Sequence, residues 1–368
     1  MGAYIVRRLL LIIPTLMGIM VINFIIIQAA PGGPVEQMIA KLQGLQTGAS
    51  SQIGGTLSSD SGSRSDVSSS SGGVNKYQGS RGLPPELIQH IEKMYGFDQP
   101  AYKRFLIMLK NYAVFDFGDS FYRDRSVIEL IKEKLPVSIS IGLWSTLIMY
   151  IISIPLGIRK AVKHGSSFDL YSSAVVIIGS SIPGFLFAII LVILFAGGNY
   201  LDWFPLRGLT SDNWDQLSAI ERAFDYLWHI CLPITAIVIG SFATLTMLTK
   251  NSFLDEINKQ YVITARSKGL TDHQVLYKHV FRNAMLIVVA GLPAAFVSVF
   301  FGSSLLIEYI FSLDGLGLLG FESAINRDYP VVFATLYIFT LMGLMLKLVG
   351  DVMYVIIDPR IDFDSRKF

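Results

Sequence analysis

Cysteine is all but missing from these 368 residues: Cys231 is the single one, so no disulfide can form within the chain. It stands in an apolar stretch and reads as a small packing residue. Histidine is scarce too, with five in all and no ligand-like spacing, which argues against a metal site. Charged residues make up 16% of the chain, against roughly a quarter in soluble domains. The formal net charge of +2 provides no bulk attraction for nucleic acid. The chain has no Gly-x-x-x-x-Gly-Lys-Ser/Thr phosphate loop, so it does not hydrolyse ATP by that route. His-Glu-x-x-His and Gly-x-Ser-x-Gly are also missing, which removes the ordinary signatures of a membrane-embedded protease. His229 stands at the edge of an apolar run with no ligand set beside it.

Long runs without charge are what the chain does have. Crossing the hydrocarbon core takes about 20 apolar residues as a helix. Six stretches qualify: Leu9 to Ala30, Val137 to Ile158, Tyr171 to Phe195, Ile230 to Leu248, Ala284 to Ile307 and Val332 to Ile357. Only the last carries charge, Lys347 and Asp351, and the third contains Pro183. The expected fold is an all-α membrane protein of six transmembrane helices, because helices satisfy their own backbone groups in lipid. Arg7 and Arg8 precede the first run, which is too long for a signal-peptide core and reads as a retained span, residues 1–30.

Orientation follows from basic residues in short loops. Arg159, Lys160 and Lys163 follow the second run; Lys250, Lys259, Arg266, Lys268, Lys278 and Arg282 follow the fourth. The loops after the third and fifth runs are acidic or balanced. Both termini are therefore expected inside, with a short tail at 358–368.

The segment 31–136 is expected to form an external loop of two parts. Residues 46–81 are rich in Ser and Gly, bury little, and are expected to be disordered. Residues 84–136 show helical spacing (Leu87, Ile88, Ile91, Met94, Tyr95) and aromatic anchors, as in a small helical subdomain. A core of five further helices is expected to occupy 137–357.

Within that core the segment 251–283 is polar and basic. Leu254, Ile257, Tyr261, Val262 and Ala265 recur at helical spacing, Gly269 supplies a stop, and Thr271 or Asp272 can cap a second helix through Val275, Leu276, His279 and Val280. Two short helices about a glycine turn make a knob suited to a cleft on a soluble partner.

YVITARSKGL, followed by FRNA, resembles the cytoplasmic loop of binding-protein-dependent ABC importer permeases, in particular their dipeptide, oligopeptide and nickel branch. Of the family pattern Glu-Ala-Ala, three residues, Gly, the chain matches Ala265 and Gly269; Ile263 stands where the glutamate would be. The first span YIVRRLLLIIPTLMGIMVINFIIIQAAPGGP, FGDS at Phe117 to Ser120, FSLDGLGLLGFESAINRDYPVV and the ending DPRIDF are similar to the same branch.

The resemblance implies a type I ABC importer permease fold in the inner membrane, multi-pass, forming half of a translocation pathway most simply read as one for peptides. The implied partners are a second permease subunit (a heterodimer), ATP-binding subunits, an external solute-binding protein and the lipid bilayer, with no nucleic acid. No cofactor belongs to this chain; ATP and Mg belong to the partner ATPase. By the same resemblance Thr264, Ala265, Arg266, Lys268, Gly269, Leu270, Leu276 and Arg282 form the ATPase-coupling loop. Thr264 and Ala265 would allow close packing at the partner surface. The basic residues either pair with acidic groups of the ATPase or form a solvated positive-inside face.

Two readings stay open for Lys347 and Asp351: a mutual i,i+4 pair, or a place on the solute path. Asp314, Glu322, Arg327 and Asp328 mark an external entrance or are simply solvated loop charges. The alternative function is an ion-coupled secondary transporter, which predicts several intramembrane acids and two similar halves.

Overall fold

The structure, a computed structural model, describes residues 2–29, 99–197, 200–298 and 304–357. The Ser/Gly-rich insert 46–81, the first part of the expected subdomain and the tail 358–368 lie outside the described residues. The architecture is all-α, and the one β feature among the described residues is an isolated bridge between Asp119 and Ser126.

In chain order the helices are α1 (Gly2–Ala29), α2 (Ala101–Ala113), α3 (Val127–Val162), α4 (Ser167–Ser181), α5 (Gly184–Phe195) and α6 (Ala219–Ile257). They continue as α7 (Gln260–Ser267), α8 (Asp272–Val275), α9 (Phe281–Ala290), α10 (Leu292–Ser298), α11 (Ser304–Ile310), α12 (Leu316–Ile325) and α13 (Tyr329–Ile357). Five segments are long and apolar enough to span a membrane, and α4 with α5 makes a sixth if a bent pair counts as one span.

The bend is where the third run departs from expectation. It is a break of 89° between α4 and α5, not one kinked helix. Pro183 cannot donate a backbone hydrogen bond, and its ring pushes the preceding residue out of the helical region. Ile182 accordingly sits at φ −91 and ψ 120, and α5 restarts after Pro183. The second run also differs: its helix starts at Val127 and passes through Pro136, the boundary expected for the subdomain.

Large apolar side chains point away from the protein along the spans. On α4, Leu170 is 70% exposed and Val175 66%, a surface that water would not tolerate at this extent and that lipid covers. α6, at 39 residues, is about 58 Å long against a hydrocarbon core of about 30 Å. It therefore projects well beyond the apolar layer. Ser218 and Glu221 close a capping box at its start.

The described residues form two compact units. One comprises residues 1–13, 131–321 and 338–368. There α6 is the hub, packed by α4, α5 and α9; its Ile234, Val238, Leu245 and Phe253 share a core with α3 and α9, and its Leu232, Ala236 and Ile237 share another with α5. α3 approaches α6 closely at Gly157: a Cβ there would lie 2.6 Å from Thr249 Cβ and 2.8 Å from the Thr246 carbonyl oxygen. Elsewhere in this unit the fully buried Glu308 accepts from Ser138 Oγ at 3.1 Å and the Leu318 amide at 2.7 Å, holding the turn between α11 and α12.

The other unit comprises residues 14–130 and 322–337. Tyr112, Phe117 and Tyr337 pack edge to face, with Tyr112 and Phe117 centroids 4.8 Å apart. Beside them Ser120, the last residue of FGDS, donates its hydroxyl to Asp328, and the Phe121 amide donates to the same carboxylate at 3.1 Å.

Candidate functional site

The knob begins where α6 ends. Asn258 and Lys259 interrupt the helix, so the expected single helix from Leu254 to Ala265 is two helices, α6 and α7. The apolar period carries across the break because Phe253, Val262, Ala265, Val275 and Val280 all face one core. Tyr261 ties the break down: its hydroxyl donates to Glu256 Oε2 at 2.6 Å and accepts from Asn283 Nδ2 at 3.3 Å. Burial, then the adjacent Glu256 carboxylate, pushes the Tyr261 phenol up to about 12, so it stays a donor throughout the physiological range.

α7 stops at Gly269, whose φ of +82 closes the helix in the left-handed region. The Gly269 amide reaches the Arg266 carbonyl at 2.9 Å and the Leu270 amide reaches that of Ala265 at 3.4 Å. Thr271, not Asp272, caps α8, in a reciprocal box with Gln274. A π-helical turn at Leu276–Val280 then joins α8 to α9. The second helix of the knob thus runs directly into a span.

The knob has two faces. Val262, Ala265, Val275 and Val280 are buried, and Leu270 and Leu276 pack partly against them. Ala265 therefore serves the knob's own core and is not a partner-surface residue: its place one turn after Val262 puts it on the inward side of α7. Thr264, Lys268 and Gly269 are exposed, as are Lys278 and Arg282. Ile263 and Tyr277, apolar and half exposed, join this outer face. Arg266 Nε contacts Asp272 Oδ1 at 3.1 Å across the turn. Both side chains are exposed, so Arg266→Ala is expected to change stability by less than about 1 kcal/mol. Thermal unfolding in detergent checks this; a larger loss would mean that the pair holds the turn.

Behind the knob the structure corrects the loop-charge reading. Lys160 and Lys250, counted as inside-loop charges, are buried and converge on Asp169 at the start of α4. Sequence reasoning missed Asp169 entirely. The available signal was an acid in the first turn after a Ser, at Ser166.

The other sequence candidates lie apart from the knob. The mutual pairing of Lys347 with Asp351 is not formed: Arg8 Nη1 takes the Asp351 carboxylate at 2.8 Å. The contact is a single Nη1–Oδ2 approach, made because the packing of α1 brings Arg8 within ion-pair distance of α13. Lys347 instead lines a crevice of about 460 Å³ with Pro293, Val297, Gly343 and Gly350.

Of the four charges expected outside, at least three have protein partners. Asp314 pairs with Lys134, Glu322 with Arg123 at 2.6 Å, and Asp328 is buried under Ser120. Arg327 holds a left-handed φ of +55 in the turn before α13.

Comparison with known proteins gives these elements a context. Residues 153–363 match the family described as binding-protein-dependent transport system inner membrane component. The chain is 59% identical over 368 residues, 100% of both chains, to the peptidoglycan transport system permease protein YejB of Agrobacterium fabrum (strain C58 / ATCC 33970). It is 59% identical over 366 residues, again 100% of both, to the inner membrane ABC transporter permease protein YejB of Escherichia coli O157:H7. To the oligopeptide transport system permease protein AppB of Bacillus subtilis (strain 168) it is 34% identical over 369 residues, 99% of this chain and 100% of the relative. The chain therefore belongs to the binding-protein-dependent inner membrane permease family, and it is the membrane-spanning permease subunit of an ABC importer rather than an enzyme.

Proposed function

We propose that this permease imports peptides, including peptide-bearing fragments of peptidoglycan, and that its knob docks on a separate ATPase at the cytoplasmic side. The observation that carries the docking reading is the division of the knob into two faces. Its inner residues are satisfied within the chain, while Ile263, Thr264, Lys268, Gly269 and Tyr277 form an outer face with apolar and basic groups together. This basic, partly apolar character suits a specific protein surface. The peptide assignment draws on relatives whose names carry peptidoglycan and oligopeptide transport.

In this reading ATP and Mg bind the partner ATPase, a second permease completes the pathway, and an external binding protein delivers the solute. Closure of the ATPase pushes the knob. The push enters the membrane along α6 and α9, which are continuous with it.

The test is recovery from membranes in mild detergent. The expected result is copurification of a phosphate-loop ATPase and a second permease, with uptake of peptides that requires ATP and the binding protein. A single chain that catalyses ion-driven flux alone would defeat the proposal. In a Cys231→Ala background, Lys268→Cys is expected to react with impermeant maleimide only from the cytoplasmic side. Labelling only from outside would place the knob where no ATPase can reach it.

A further inference from the structure

Three helices meet at one buried carboxylate. Asp169 is 5% exposed, Lys160 0% and Lys250 7%. Lys250 Nζ, from α6, contacts Asp169 Oδ1 at 2.7 Å and Oδ2 at 2.8 Å. Lys160 Nζ, from the last turns of α3, lies 3.3 Å from Oδ1 and donates to the Asp169 carbonyl at 3.1 Å, Ser172 Oγ at 2.9 Å and Ser173 Oγ at 2.6 Å. The Gly165 amide donates to Oδ2 at 3.2 Å, and His164 Nδ1 is 3.2 Å from the same oxygen. The carboxylate also sits in the first turn of α4, where the helix dipole favours negative charge.

We propose that this cluster is a positioning clasp: it locks the α3–α4 hairpin to α6 so that displacement of the knob moves the hairpin with it. The inference rests on the docking reading above. Lys250 lies about two turns before the end of α6, on the side of that helix that leads into the knob. Gly157, where α3 and α6 nearly touch, lies one turn before Lys160 on α3. Apolar packing alone is non-directional and allows helices to slide. A buried carboxylate gripped from both sides does not, because separation would strand charge away from water. The ammonium of Lys160 is fully satisfied within the cluster.

The experiment uses the assembled importer in proteoliposomes with its binding protein. Lys250→Gln removes the grip from α6 and leaves Asp169 paired with Lys160. Recovery of the ATPase and its basal hydrolysis are expected to match the parent. ATP consumed per solute imported is expected to rise about tenfold, and Lys250→Arg is expected to restore most of it. Spin labels at Ser167→Cys and Asp255→Cys, with Cys231→Ala, report the mechanical step. Their separation is expected to be insensitive to nucleotide in the parent and to shift or broaden with nucleotide in Lys250→Gln.

Unchanged ATP per solute in an intact Lys250→Gln complex overturns the clasp and leaves the docking reading standing. Loss of uptake that merely parallels loss of assembled complex also overturns it, as a structural role only. If Lys250→Gln does not assemble, the neutral pair Asp169→Asn with Lys250→Gln is read in the same way, and failure of both to assemble counts against the proposal. Failure of the unaltered chain to retain an ATPase would remove the docking reading and the clasp with it.

Discussion

Gly157→Leu is expected to lose more folded protein than any other single substitution considered for this chain. The space for even one carbon at this position is already taken by Thr249 Cβ at 2.6 Å, Thr249 Cγ2 at 2.9 Å and the Thr246 carbonyl oxygen at 2.8 Å. The carbonyl is backbone inside α6 and cannot swing aside. Thr249 is itself buried, with its hydroxyl on the Leu245 carbonyl at 2.8 Å. Relief must come from moving α3 away from α6, which also pulls Lys160 and Lys250 apart around Asp169. Overpacking alone costs about 3 kcal/mol at the upper end of the usual range. In a chain of 368 residues that corresponds to a fall of roughly 4 °C in Tm, read by thermal unfolding of the detergent-purified protein. A Tm within about 1 °C of the parent would mean that the crossing opens freely and is not a tight contact.

Gly269→Asp is expected to do the reverse: keep the fold and lose the transport. The residue holds φ +82, yet a Cβ there would meet nothing within 4 Å. The cost within the chain is only the left-handed backbone, about 1 kcal/mol and least for Asn or Asp. Membrane abundance and Tm are therefore expected to stay near the parent's. A carboxylate at the tip of the turn would, however, stand in the docking surface and add a charge opposite to its basic neighbours Lys268 and Arg266. Peptide uptake in whole cells and ATPase recovery by pull-down are expected to fall at least about tenfold. Normal uptake with a normal complex would show that the tip of the turn is not part of the interface. Gly269→Asn, which tolerates the same backbone without charge, separates strain from surface chemistry and is expected to retain more uptake than Gly269→Asp.

These two glycines show how unevenly the molecule could be read from its residues. Gly269 was recognisable because helical spacing stops beside it and polar caps restart after it. Gly157 was not: it stands in an unbroken apolar run, and its importance comes from a helix about ninety residues away in sequence. The same contrast separates the charges. Lys268 and Lys278 read as exposed loop residues and are exposed. Lys160 and Lys250 read identically and are buried, since nothing in their local sequence announces that Asp169 arrives between them. Asp351 had a well-spaced cation on its own helix, yet pairs with Arg8 from the opposite end of the chain.

The amino-acid sequence on its own determined the class of molecule: a many-spanning α-helical membrane protein, lacking ATP-hydrolysing motifs, with a polar glycine-turned loop and the wording of an importer permease. Those properties follow from run length, charge depletion and local turn chemistry, all of which act over a few neighbouring residues. Tertiary structure alone decided that Pro183 breaks a span by 89°, that Ala265 turns inward, and that two lysines from separate helices share one carboxylate. Those outcomes depend on which distant surfaces meet. A buried charge must find a partner wherever the packing of the whole chain brings one within reach.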